Sequence, residues 1–248
     1  VSDSIITYGL IKLFDVPHAA GVANEIFDED CYNFSQLPAG AIVLDVGAFY
    51  GEFAIRCAVE KDCHVVAYEP SIENRSILLR NRQLNELTAD QLVISALAIG
   101  TPGRRAFMHR IEHPAGSAFK ADAKSCVGNA GNTYEVEVVS LVEAIRSAKE
   151  RWGDLPVCLK MDCEGAEHEI FADHAEWISQ VQVIAMEWHN YDGAHFRSII
   201  EPRGFSVLVE GGGPKPRPLL DPSSSGWTWK GAPWGNIGAG LLFAVRNC

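Results

Sequence analysis

Short apolar runs alternate with helix-length amphipathic stretches along most of this chain, and that rhythm leaves few folds open to it. Apolar runs stand at 41–46 (AIVLDV), 64–69 (HVVAYE), 92–97 (LVISAL), 156–162 (PVCLKMD), 181–187 (VQVIAME), 204–209 (GFSVLV) and 239–246 (AGLLFAVR). Helical patterns fit 50–60, 72–86, 140–150, 166–178 and 192–202. Strands that take turns with helices build a parallel sheet wrapped by helices. The predicted architecture is therefore α/β, a mostly parallel seven-stranded sheet with helices on both faces and an antiparallel last strand. Residues 1–38 read as a helical and looped preface ending at Pro38-Ala39-Gly40, and 39–248 as one domain.

Two stretches break the rhythm. One is 101–139, with strand-like pieces at 104–109 and 134–139 around a polar middle. The other is 210–238, rich in Gly, Pro and Ser yet carrying Trp227, Trp229 and Trp234. If 239–246 returns antiparallel beside 204–209, their connection hangs over the carboxyl edge of the sheet. Ligands bind on that edge in open α/β sheets, so 210–238 is expected to act as a lid.

At 248 residues the chain can bury a full core. Its formal charge of -11 speaks against a polyanionic partner, because nucleic acid calls for a basic footprint. No apolar run approaches the length of a membrane span, and the N-terminal residues lack the build of a signal peptide. The seven cysteines form no C-x-x-C pair, which fits reduced thiols better than a disulfide framework or a zinc site. A cytoplasmic protein with a small-molecule substrate, and neither nucleic acid nor membrane as partner, is expected.

The stretch VLDVGAFYGEFAIRCAV (43–59) is a strand, a glycine-bearing turn and a helix. Such a turn lets the backbone approach a ligand closely, and the helix N-terminus favours negative groups. Its spacing, Asp45-x-Gly47-x-x-x-Gly51, is not the G-x-G-x-x-G of dinucleotide binding. An acid ahead of the first glycine is a poor neighbour for a pyrophosphate, and suits a cofactor carrying an ammonium or sulfonium. The second strand ends in Tyr68-Glu69-Pro70. A carboxylate at that tip can accept both hydroxyls of a ribose, which NAD and S-adenosylmethionine share. Asp45 tilts the choice toward S-adenosylmethionine.

With VVAYEPSIENRSILLRN and LKMDCEGAEHEIF following in order, the chain resembles the FkbM family of S-adenosylmethionine-dependent methyltransferases over roughly 41–190. The resemblance implies a Rossmann-like class I methyltransferase fold and O-methylation of small metabolites or sugars. It assigns Asp45, Gly47, Ala48 and Gly51 to the methionine end of the cofactor and Glu69 to the ribose. Pro70, Ser95 and Asp162, near the ends of their strands, complete the candidate cofactor set. Departures from the family pattern are Phe49 in place of Asn, Ala54 in place of a hydroxyl residue, and Leu141-Val142 in place of Leu-Asp.

The block LKMDCEGAEHEIF sets Asp162, Glu164, Glu167, His168 and Glu169 within eight residues. Period-two alternation puts Lys160, Asp162 and Glu164 on one side of the strand, and Asp162 is the nearest expected partner for Lys160. Glu167 and Glu169 read as dipole-favoured surface acids at a helix start, and His168 as solvent-facing. The next strand ends in Glu187-Trp188-His189-Asn190. Strands joined by one helix usually lie side by side, so Asp162, Glu164, Glu187 and His189 should meet at the carboxyl edge. Charges so crowded must share something positive or protic, be it the cofactor's cation, a substrate hydroxyl or a divalent cation. His189 is the expected general base for a hydroxyl nucleophile, with Asp162 and Glu164 beside it. Three carboxylates without a dedicated loop fall short of the six or more oxygens that hard cations take, so no metal ligand is assigned. The competing readings are an NAD-dependent oxidoreductase and a catalytically idle binding module, the latter favoured by Phe49 and Ala54.

Overall fold

The computed structural model of the chain describes residues 4–103, 106–109, 119–120, 133–172, 174–189, 193–211 and 239–247. The chain opens with a hairpin of β1 (Ile5–Tyr8) and β2 (Ile11–Phe14), followed by α1 (Ala19–Phe27). The preface is thus partly strand, where helix and loop were expected. Ile11 and Leu13 are fully buried while Lys12 between them is exposed, a period-two pattern too short to stand out in sequence.

The main unit runs β3 (Ile42–Val46), α2 (Glu52–Lys61), β4 (His64–Tyr68), α3 (Ile72–Leu84) and β5 (Leu92–Ser95). Where the rhythm breaks, a two-residue strand β6 (Ala98–Ile99) is followed by β7 (Ala106–His109), β8 (Phe119–Lys120), β9 (Thr133–Val136) and β10 (Val138–Val139). The strands β8, β7 and β9 form a small antiparallel sheet, and β6 pairs with β10. The alternation then resumes with α4 (Leu141–Trp152), β11 (Val157–Met161), α5 (Glu167–Ala172), α6 (His174–Trp177), β12 (Val183–His189), α7 (Gly193–Ile200), β13 (Phe205–Gly211) and β14 (Ala239–Arg246).

Seven strands make the central sheet in the order β13-β14-β12-β11-β3-β4-β5. Its pairs are parallel except those made by β14, which is antiparallel to both β12 and β13. This is the predicted sheet. All five residues of β3 and of β11 are buried, as expected of strands covered on both faces. One face packs Ile42, Leu44, Leu159 and Met186 with Ile145, Phe171, Trp177 and Phe196 from α4 to α7. The other packs Val43, Val65 and Cys158 with Phe53 and Cys57 of α2, and with Ile11, Leu13, Ala23 and Ile26 of the preface. The helix starts obey local rules. Ser140 and Glu143 form a capping box at α4, and the Ser71 side chain accepts the Asn74 N–H at α3.

Residues 212–238 lie outside the described residues, so the expected lid with Trp227, Trp229 and Trp234 does too. Among the described residues no helix is long and apolar enough to cross a membrane. Cys31, Cys57, Cys63, Cys158 and Cys163 are free thiols.

Candidate active site

The turn after β3 is held from three sides. Gly47 and Ala48 donate their N–H groups to the Tyr68 carbonyl at 3.0 and 3.1 Å. Phe49, at φ 50, donates its N–H to Glu69 Oε2 at 2.9 Å. The Gly47 carbonyl accepts from Lys160 Nζ at 2.8 Å. Gly47 itself is at φ 78, and a Cβ there would collide with the main-chain oxygen of Asp162. Only glycine serves at that point. Gly51, at φ 89, caps α2 and packs against Leu78.

Lys160 corrects one expectation. Its partner is Asp45, with Nζ 3.1 Å from Oδ1, rather than Asp162. Register explains the choice, because Lys160 lies directly beside Asp45 in the β11–β3 pair. Direct neighbours on adjacent strands stand closer than i and i+2 on one strand. Burial works against the charge on Lys160, but the Asp45 and Asp162 carboxylates outweigh it and hold the ammonium above its ordinary range. Burial pushes Asp45 up, against the pull of Lys160. Asp45, fully buried, therefore braces the cofactor turn from beneath and does not reach the cleft wall.

The wall of the main cleft includes Gly47, Ala48, Glu69, Pro70, Asp162 and Glu164, all expected from sequence. Ser95 and Gly51 are absent from it. The Ser95 carbonyl accepts the Glu69 N–H at 3.1 Å, and its Oγ accepts the Leu97 N–H at 3.3 Å. Ser95 thus positions Glu69, and its neighbours Leu97 and Ala98 face the cleft instead. Each Glu69 oxygen accepts one backbone N–H, from Phe49 and from Ser71. The Asn74 side chain also bonds to this carboxyl, and because a carboxylate oxygen has room for two donors, Glu69 can still accept a ribose hydroxyl. Burial pushes Glu69 up to about 7, against the pull of those N–H groups.

Two further wall residues carry no signal that sequence reasoning used. Glu52 is 1% exposed and neither carboxyl oxygen has a well-aligned hydrogen-bond partner; burial pushes it up to about 8, against the weaker pull of the nearby Glu52 and Tyr50 N–H groups. Asn74 is 3% exposed with an unpartnered Oδ1. Buried polar groups are normally paired. Orphans on a cleft wall mark where a ligand's donors go: an ammonium at Glu52, near the glycine turn, and N–H or O–H groups at Asn74, near Glu69. S-adenosylmethionine fits this donor set, with its methionine ammonium at one end and its nucleoside at the other. Position 52 reads in sequence only as an acid in the first turn of a helix.

The preface supplies Val22, Glu25, Ile26 and Tyr32 to the same wall. Tyr32 OH donates to Asp162 Oδ2 at 2.9 Å, across 130 residues of chain. Burial, then the charge of Asp162, pushes Glu25 up.

At the strand ends the expected group assembles. His189 Nε2 lies 3.7 Å from Glu187 and 3.9 Å from Glu164. The ring is not on the cleft wall, which Asp162 and Glu164 reach. Burial opposes charging it, but the contact with Glu167 and the charges of Asp162, Glu187 and Glu167 prevail and push His189 up to about 10. Glu187 is pushed up to about 8 by burial and then by Asp162. Glu167 is a second correction. Expected at the surface, it is fully buried; its Oε1 accepts the Cys163 N–H at 3.0 Å and stands 3.2 Å from His189 Nδ1. The tight turn through Glu164 and Gly165, both at positive φ, swings the first turn of α5 inward. His168 is exposed as expected.

The family model for the methyltransferase FkbM domain matches residues 45–207. Methyltransferase sdnD of Sordaria araneosa is 23% identical over 234 residues, covering 83% of this chain and 88% of its own. Methyltransferase 1 of Beauveria bassiana is 23% identical over 210 residues, covering 76% and 82%. Among solved structures, an S-adenosylmethionine-dependent methyltransferase from Agrobacterium tumefaciens aligns over 99% of this chain and 71% of its own, at 8% identity and a TM-score of 0.45.

Proposed function

Because the chain belongs to the methyltransferase FkbM family, we propose that it methylates an oxygen of a small polar acceptor, a metabolite or sugar-like molecule. The cofactor, S-adenosylmethionine, supplies a methyl group on a sulfonium. The observation that carries the reading is the cleft itself. The glycine turn, the buried carboxyl of Glu52, the pair Glu69 and Asn74, and the acids Asp162 and Glu164 all line one cleft.

In this reading Glu52 holds the methionine ammonium, and the backbone of Gly47 and Ala48 lines the approach to it. Glu69 accepts the ribose hydroxyls, and Asn74 Oδ1 takes a donor of the nucleoside. Asp162 is oriented by Tyr32 OH, so one carboxyl oxygen stays fixed while the other faces a ligand. Asp162 and Glu164, on the cleft wall, orient the acceptor hydroxyl and take its proton; His189, set behind them and held charged by Glu167 and the neighbouring acids, steadies these carboxylates and is not the base expected from the sequence. Orientation can supply roughly 7–11 kcal/mol of a barrier of this kind, and removing the proton about 10²–10⁴-fold in rate. The net charge of -11 and the acids Glu25 and Glu164 on the wall support a small acceptor over a nucleic acid. Free cysteines support a reducing compartment such as the cytoplasm.

The test is to incubate the protein with S-adenosylmethionine bearing a trideuterated methyl and a panel of small hydroxy acids, sugars and amines, then locate the label by mass spectrometry. Label on oxygen is the expected result. Label confined to nitrogen, or to nucleic acid offered in the same panel, overturns the assignment of the acceptor.

A further inference from the structure

Among the described residues, no lysine or arginine forms an ion pair with the acids at the ends of β11 and β12. Asp162, Glu164, Glu167 and Glu187 surround His189, while Lys160, the lysine on the same cleft wall, is engaged by Asp45 and Gly47. Crowded acids alone mark no site. The imidazole among them is what singles this group out.

His189 is held in the manner of a metal ligand. Its Nδ1 is tied at 3.2 Å to Glu167, a fully buried carboxylate that also accepts the Cys163 N–H. A histidine that binds a metal through one nitrogen usually donates the other N–H to a carboxylate, which fixes tautomer and orientation. The free Nε2 then faces Glu187 and Glu164 at 3.7 and 3.9 Å. Those separations exceed a charge-assisted hydrogen bond, which closes to about 2.7–2.9 Å. They suit ligands sharing one ion, each about 2.0–2.2 Å from it. Donor atoms of Asp162, Glu164 and His189 all lie within 4.8 Å of one another. One ion can reach all three once these side chains draw together around it.

We propose that Asp162, Glu164 and His189 bind one divalent first-row cation, with Glu167 fixing the ring from behind. One nitrogen with hard oxygens suits Mn²⁺ or Zn²⁺ better than the all-oxygen coordination preferred by Ca²⁺ and Mg²⁺. The ion takes the place of the proton on Nε2 and brings a second positive charge to these acids. On the sequence alone three carboxylates fell short of a metal site. The structure adds the buried carboxylate of Glu167 that holds the imidazole in place. The proposal rests on the methyltransferase reading only for its place at the acceptor end of the cleft; binding itself is independent of it.

The test is a titration of the EDTA-treated, dialysed full chain with Mn²⁺, following free Mn²⁺ by electron paramagnetic resonance, beside a calorimetric titration with S-adenosylhomocysteine. One Mn²⁺ per chain is expected. His189→Ala and Glu164→Gln should each weaken it at least tenfold, and Glu167→Gln by about 10–100-fold. Asp154→Asn, at the opposite edge of the sheet, should bind like the wild type and control for loose attraction to an acidic protein. Glu164→Gln, at an exposed turn, keeps the comparison standing if His189→Ala does not fold. No saturable uptake by the wild type, or equal uptake by the three site variants, overturns the proposal. If that happens while S-adenosylhomocysteine still binds, the methyltransferase reading stands; loss of S-adenosylhomocysteine binding by the wild type strikes that reading instead.

Discussion

At the scale of single residues, buried charge decides most of what this cleft can do. Lys160 and Asp45 are 5% and 0% exposed and neutralise one another across two strands. Removing one partner of such a pair strands the other in the core. Lys160→Met should therefore cost about 3–5 kcal/mol in urea denaturation and loosen the turn at Gly47. Glu52 makes a sharper test. Held up at about 8, it is largely protonated at neutral pH in the unliganded chain, and gripping an ammonium requires the carboxylate. Affinity for S-adenosylhomocysteine should therefore fall as pH drops from 8 to 7, by about fivefold. Glu52→Gln should weaken binding at pH 8.5 and abolish that slope. The sign for stability is the reverse. The native state keeps a proton that the unfolded chain releases near 4.5, so the unliganded protein should lose stability as pH rises from 4.5 through 8, and less so in Glu52→Gln.

Elements explain why some of this was legible and some was not. The turn between β3 and α2 announces itself, because two glycines and an acid at fixed spacing have few other uses. In the structure Gly47 meets the Asp162 main chain and Gly51 starts the helix. Gly47→Ala forces a positive φ on a residue with a Cβ, at about 1–3 kcal/mol, and drives that Cβ into β11's end. Loss of S-adenosylhomocysteine binding together with a lowered urea midpoint is expected; unchanged binding would show that the turn does not approach the cofactor. In the block from Leu159 to Phe171, Asp162 and Glu164 reach the cleft wall, whereas Glu167, expected at the surface, is buried. Alternation along a strand is a local rule, and it carries only to Asp162, one residue past the end of β11. The inward swing of α5 depends on positive φ at Glu164 and Gly165, for which residue types give only a weak cue. Asp45 was misplaced for a related reason. Spacing gave its position in the turn, but which way the carboxyl points follows from the Lys160 register.

Across the whole molecule, the sheet was the most legible part. Each of its strands is a run of apolar residues long enough to be read unaided, and the antiparallel return of β14 followed from chain order. The preface was the least legible. Its four-residue strands carry too little periodicity, and Tyr32 reaches Asp162 from 130 residues away, a pairing no local pattern encodes. Segments far apart in sequence, from Val22 to Ala166, enclose one cleft, and the claim that this cleft holds S-adenosylmethionine underlies every role assigned above. Isothermal titration of the purified chain with S-adenosylhomocysteine, and separately with NAD, tests it most directly. Saturable binding of S-adenosylhomocysteine at one site per chain, weakened by Glu52→Gln and absent in Gly47→Ala, is the expected result. Tight binding of NAD with none of S-adenosylhomocysteine would contradict it.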